Sequence, residues 1–157
     1  MVEGYLVIVS CGSQKIWSRF PAAGPTAAQD AYTSNVFTAS RRYAEHFADR
    51  WLILSAGYGF IAPDFIIPEN YDVSFYGTDA VSPERLCEQV DERGLADAKS
   101  VGVLDSAAYF ARVKGAFADH NTSVRSINGN VGFPPSFIGL VNKLIAHDVP
   151  FPEDLPR

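Results

Sequence analysis

Three carboxylates, Asp64, Glu69 and Asp72, fall within the nineteen-residue stretch LSAGYGFIAPDFIIPENYD (Leu54 to Asp72), which also carries Tyr58 and Tyr71. Carboxylates in so apolar a segment must either emerge into water or find donors. Each alone suits a turn or a cap. Together, beside two tyrosines, they offer a general base or cation stabiliser and aromatic faces for a planar ring. Breaking an N-glycosidic bond builds positive charge on the sugar, and a nearby carboxylate is the group that stabilises it, as in O-glycoside hydrolysis. Asp64 and Asp72 are therefore the candidate catalytic carboxylates, with Lys15 as the accompanying cation.

Lys15 closes the run Cys11-Gly12-Ser13-Gln14-Lys15. This run is poor in glycine and lacks the GK[ST] ending of a Walker loop, so nucleoside triphosphate binding by that route is disfavoured. Lys15 can reach a phosphate or a carboxylate, or can be a solvated lysine of a turn. Cys11 reads either as a small packed hydrophobe or as a reactive thiol. Tyr32-Thr33-Ser34 stands at a helix start, where hydroxyls and free N–H groups either hold an anion or simply cap the helix. Ser55, Gly59, Tyr109 and Asn128 complete the candidate binding residues, with NGNVG (Asn128 to Gly132) offering amide donors and close backbone approach. His46, His120 and His147 lie near helix ends and read as solvated surface. No His, Cys or carboxylate set has ligand spacing, so neither a metal nor a cofactor is expected.

What must position these residues is an alternation of strands and helices. Tyr5 to Ser10, YLVIVS, is apolar without polar alternation, as in a strand covered on both faces. Trp51 to Ser55, Ser100 to Leu104 and the weaker Ser123 to Ile127 read as further strands. A helix capped by Thr33 or Ser34 sets Val36, Phe37, Ser40, Tyr43, Ala44 and Phe47 on one face. Ser82-Pro83-Glu84 opens another that stops near Gly94, Asp105 or Ser106 opens a third carrying Tyr109, Val113 and Phe117 inward, and a fourth spans about Pro134 to His147. Residues 14–32 read as an ordered excursion. The pattern predicts a single three-layer α/β domain over residues 1–148, with a mostly parallel sheet of about four to five strands flanked by helices, and an extended proline-rich tail over 149–157. In such sheets ligands gather at the carboxyl ends of the strands, here Cys11 to Lys15, Ser55 to Asp72, Asp105 to Tyr109 and Asn128 to Gly132.

The chain has 157 residues, 47% hydrophobic and 20% charged, which excludes disordered and collagen-like classes. No apolar run approaches the roughly 20 residues of a membrane span, the start has no secretion signal, and a cytoplasmic protein is expected. Two isolated cysteines suggest neither a disulfide scaffold nor a zinc site. A formal net charge of −5 argues against an extended surface for duplex DNA, leaving a small anion, a nucleotide or a single nucleobase in nucleic acid as partner.

The order C-G-x-x-K, Y-T-S-x-x-F, L-S-A-x-Y-G, P-D-x-x-I-P and Y-D resembles small bacterial and phage proteins related to the peroxide-stress protein YaaA. It is more distantly similar to the core domain of archaeosine synthase. The matching residues run from Cys11, Gly12 and Lys15 through Tyr32 to Ser34 and Phe37, then Leu54 to Ala56, Tyr58, Gly59, Pro63, Asp64, Ile67, Pro68, Tyr71 and Asp72, in the first half of the chain. Relatives often carry lysine where Gly57 stands, and lack the Glu69-Asn70 pair between proline and tyrosine. The resemblance implies a mostly parallel α/β fold and a link to nucleobase, nucleoside or nucleic-acid chemistry, YaaA being associated with DNA binding and protection against oxidative damage. Two functions follow as expectations: a hydrolase or exchange enzyme at an N-glycosidic bond, or a non-catalytic nucleotide- or nucleic-acid-binding protein of stress or defence.

Overall fold

The computed structural model describes residues 1–105, 107–129 and 135–156. Ser106, residues 130–132 of the NGNVG turn and the expected helix start at Pro134 lie outside them. Strand β1 (Val2–Ser10) is followed by the short helix α1 (Ile16–Arg19), strand β2 (Thr26–Ala27), the short helix α2 (Ala28–Ala31) and helix α3 (Asn35–Phe47). Then come β3 (Ala48–Ser55), β4 (Gly59–Ile61), β5 (Ile66–Ile67), α4 (Pro83–Glu92), β6 (Ser100–Leu104), α5 (Ala107–Ala116), β7 (Ser123–Ser126) and α6 (Ser136–His147).

Five strands form one sheet in the order β4-β3-β1-β6-β7, parallel throughout except for β4, which folds back antiparallel on β3. The apolar run of β1 is covered on both faces because successive side chains point oppositely. Tyr5, Val7 and Val9 enter one core, with Phe37, Tyr43 and Phe47 of α3 and Phe137, Val141 and Leu144 of α6. Leu6 and Ile8 enter the other, with Leu86 and Val90 of α4 and Val113 of α5. The fold is thus α/β in three layers, with α3 and α6 on one face and α4 and α5 on the other.

The helix starts follow from local chemistry. Ser34 Oγ accepts the N–H of Phe37 at 3.0 Å, and Ser82 Oγ that of Arg85 at 3.1 Å with Pro83 in the first turn, each satisfying an otherwise unpaired donor. Gln89, 3% exposed on α4, pins the β4 edge. Its Oε1 accepts from Phe60 N at 2.8 Å and its Nε2 donates to the Tyr58 carbonyl at 3.1 Å.

Two features differ from the sequence pattern. The excursion over residues 14–32 and the Leu54 to Asp72 stretch join as a small antiparallel ribbon, β2 against β5, with Thr26 opposite Ile67. The tail is not simply extended: Pro152–Asp154 forms a 3-10 turn, and Tyr43 Oη, bonded to Tyr5 Oη, donates to the Pro150 carbonyl at 2.7 Å. Arg125 grips both carboxylate oxygens of Glu153 at 2.5 and 2.6 Å and lies 4.1 Å from the Phe151 ring centre. These contacts explain why a proline-rich segment, poor in donors, still docks on the core.

The chain leaves β1 toward α3 on one face and leaves β6 toward α5 on the other. Loops that diverge from adjacent parallel strands open a crevice at their carboxyl ends. Among the described residues, no helix is long and apolar enough to cross a membrane.

Candidate functional site

The crevice lies where Ser10 ends β1 and Asp105 follows β6. A cavity of about 240 Å³ there is lined by Ser10, Gly12, Ser13, Gln14, Ser34 and Asp105, with Val36 and Phe37 behind them. The loop after β1 is held against the YTS segment: Thr33 N–H donates to the Gln14 carbonyl at 3.1 Å, and Lys15 forms an antiparallel bridge with Tyr32. Asp105 is 7% exposed, and its backbone is fixed by Asn128, whose Oδ1 accepts from Asp105 N at 3.0 Å while its Nδ2 donates to Asp105 O at 2.9 Å. Asn128 therefore positions the strand end that carries the carboxylate, and the part of its amide once open to substrate is used by that backbone.

Lys15 lines a second, larger cavity of about 690 Å³ with Gln14, Arg19, Phe20, Thr33 and Asn35. Gln14 lines both cavities, so the two are neighbours. Lys15 is 9% exposed, and its ammonium sits 4.6 Å from the Tyr71 ring centre. Among the described residues the ammonium itself has no hydrogen bond or ion pair. A buried ammonium normally finds an anion; this one lies over an aromatic face, in a residue that lines the larger cavity.

Beneath it runs a chain of hydroxyls. Ser55 Oγ accepts from the N–H groups of Gly57 and Tyr58, both at 3.2 Å, and bonds Tyr71 Oη at 2.6 Å, which in turn bonds Tyr32 Oη. With both Ser55 lone pairs facing backbone donors, its proton points to Tyr71. Tyr58 meets Tyr71 edge-on at 5.2 Å. The strand end, the excursion and the YTS segment are thereby tied into one wall.

Gly57 is explained by this wall. A Cβ there would stand 3.0 and 3.1 Å from Tyr71 Cε2 and Cδ2. We expect Gly57→Ala to push the ring off Ser55 and cost about 1–3 kcal/mol as an overpacking change, read as a lower denaturation midpoint with unchanged slope. An unaltered midpoint would show that Tyr71 has room to yield.

Burial pushes the Tyr71 pKa up to about 12 and that of Tyr5 up to about 12. It also raises those of Tyr32, Tyr43 and Tyr109. The Cys11 thiol, 4% exposed, is likewise raised by burial, with the Ala56 backbone, Tyr109 and Lys15 pulling the other way. Unfolded tyrosine ionises near about 10, so the folded state disfavours the phenolate. Stability is complete below that pH and drains away as pH rises toward and through about 12. Tyrosinate absorbance of these five side chains should therefore appear together with loss of tertiary circular dichroism. Titration that precedes unfolding would contradict the buried wall.

Cys11, Gly12, Ser13, Lys15, Tyr32, Thr33, Ser34, Ser55, Tyr58, Tyr71 and Asn128 all lie along this edge, and Tyr109 joins them through interactions with Cys11, Ser10 and Asp105. Gly59 faces elsewhere: it opens β4 against the Gln89 amide, on the second core. Asp64 and Asp72 are exposed and line neither cavity. Asp64 tips a turn whose backbone, through Pro63 and Phe65 carbonyls, holds the first N–H groups of α2. The carboxylate in the crevice is Asp105, which the sequence reads as a helix opener, and its placement after a parallel strand next to β1 is the signal that finds it. Among the described residues, no group of three His, Cys, Asp or Glu is arranged to hold a metal. His46 and His120 pair with Asp148 and Asp91 at the surface.

A family of unknown function, DUF6884, matches residues 6–131, which run from within β1 through β7 and hold all of the edge described above. The chain belongs to this family. A protein of Bacillus subtilis (strain 168), "Uncharacterized protein YfjM", is 39% identical over 118 residues, covering 73% of this chain and 78% of its own length. The DUF6884 region ends before α6 and the docked tail.

Proposed function

We propose that this DUF6884 protein is a nucleotide- or nucleobase-directed enzyme that cleaves or exchanges an N-glycosidic bond in a nucleotide or in nucleic acid. One observation carries the reading: a nearly buried lysine without an anionic partner among the described residues lines a cavity next to the one lined by the Asp105 carboxylate, at the carboxyl ends of adjacent parallel strands. The lysine is suited to a phosphate, with the Thr33 and Asn35 groups beside it. Phe20, 58% exposed on the same cavity, offers a ring face for a base. The likeness of the CGSQK, YTS and LSAGYG segments to YaaA-related proteins points the same way.

In this chemistry the C1′–N bond breaks, its electron pair leaving with the base nitrogen, which gains a proton. Asp105 stabilises the positive charge that builds on the sugar. C1′ then bonds a water oxygen, with loss of its proton, or the nitrogen of an incoming base. Incubating the protein with nucleoside phosphates, single-stranded DNA and RNA, with and without free bases, and following base release by chromatography tests it. Release or exchange is expected; none across the whole panel counts against catalysis.

A second reading is a non-catalytic nucleotide- or nucleic-acid-binding module, favoured by the exposure of Asp64 and Asp72, which leaves one carboxylate lining the crevice. It predicts binding without turnover, unaltered by Asp105→Asn.

A further inference from the structure

Away from the crevice, a cavity of about 380 Å³ opens between α4, α5 and the segment that precedes α4. Its walls include Phe75, Val81, Leu86, Ala111 and Gly115, and Arg112 is the one cation among them. The size falls in the range of small-molecule pockets, which are mostly apolar with a few placed polar groups.

The state of Arg112 indicates what is missing. Its Nη2 donates to the Phe75 carbonyl at 2.9 Å, and the guanidinium lies 4.4 Å from the Phe75 ring centre, which fixes its plane. Among the described residues its buried Nε has no acceptor and no carboxylate pairs with it. Of five donors in a planar fork, one has an acceptor among the described residues.

Gly115 supplies an independent observation. It lies in the last part of α5, yet a Cβ there would meet nothing within 4 Å. Glycine within a helix is unfavourable relative to alanine, and here neither close packing nor a left-handed backbone demands it. Its absent side chain keeps the cavity open one helical turn from Ala111, on the face where Arg112 is held.

We propose that this cavity binds a small apolar carboxylate, its hydrocarbon part against Phe75, Val81 and Leu86 and its carboxylate on the Arg112 guanidinium. A single carboxylate matches a single arginine in charge and in fork geometry. A phosphate would bring more charge and acceptors than these walls can satisfy.

The test uses 2-naphthoate as probe and 2-naphthamide as its uncharged counterpart, titrated into the full chain and followed by amide NMR shifts. Saturable shifts are expected at Val81, Leu86 and Ala111 to Gly115, with the amide binding at least about tenfold more weakly, since it loses the charge-assisted pair. Gly115→Leu, which fills the cavity while leaving Arg112 in place, should abolish binding. Arg112→Gln should weaken it at least about tenfold, and Lys15→Met should leave it unchanged. Equal affinity for acid and amide, shifts centred on the crevice, or undiminished binding by Gly115→Leu would overturn the proposal. Should Arg112→Gln not fold, the Gly115→Leu comparison decides alone.

Discussion

Asp105→Asn is expected to lower turnover by about a thousandfold while leaving nucleotide affinity within about threefold, the pattern of a group that acts mainly in the transition state. The expectation rests on geometry. Asp105 is 7% exposed on the crevice cavity, and Asn128 holds its backbone, which the substitution does not alter. Fold and crevice should therefore survive, and the loss should fall on kcat. Asp64→Asn and Asp72→Asn provide the contrast, because both side chains are exposed and outside the cavities. Their turnover should stay close to that of the unaltered protein. Loss in either of them, with Asp105→Asn still active, would move the chemistry to the excursion.

Lys15→Met should weaken binding of a nucleotide phosphate by about a hundredfold, the value of a charge-assisted pair in a sheltered site. Stability should move the other way or not at all. Removing a buried charge that has no counterion is often neutral or stabilising, because the ammonium is no longer held from water. The contact with the Tyr71 face, worth about 0.5–1 kcal/mol, offsets part of that gain. Calorimetric titration and thermal denaturation together separate the alternatives: a merely structural lysine gives a lower melting temperature with unchanged affinity. A higher or equal melting temperature with lost affinity identifies an anion-binding group.

The sheet and its layers were readable in the sequence because they depend on local pattern. The run YLVIVS lacks polar alternation and is buried on both faces, and Ser82-Pro83-Glu84 starts a helix where such a triplet should. The edge where the loops gather was readable too, since parallel order alone sends them there. What could not be read are interactions with no period. The ribbon of β2 and β5 joins two-residue strands far apart in sequence, and Gln89 becomes a brace only once α4 lies against β4. Asp105 shows the same limit from another side: an aspartate before a helix reads as a cap, and only the neighbouring β1 turns it into a crevice carboxylate. Gly57 gained its reason in space as well, from the ring of Tyr71 fourteen residues later.

On the proposed function, the carboxyl edge between β1 and β6 takes a nucleotide, phosphate toward Lys15 and sugar toward Asp105. A crystal soaked with a mixture of nucleoside mono- and diphosphates measures this most directly. The expected result is density for a nucleotide with its phosphate on the Lys15 Nζ and its C1′ facing the Asp105 carboxylate. Nucleotide bound only elsewhere on the molecule, or none at saturating concentration, would contradict it.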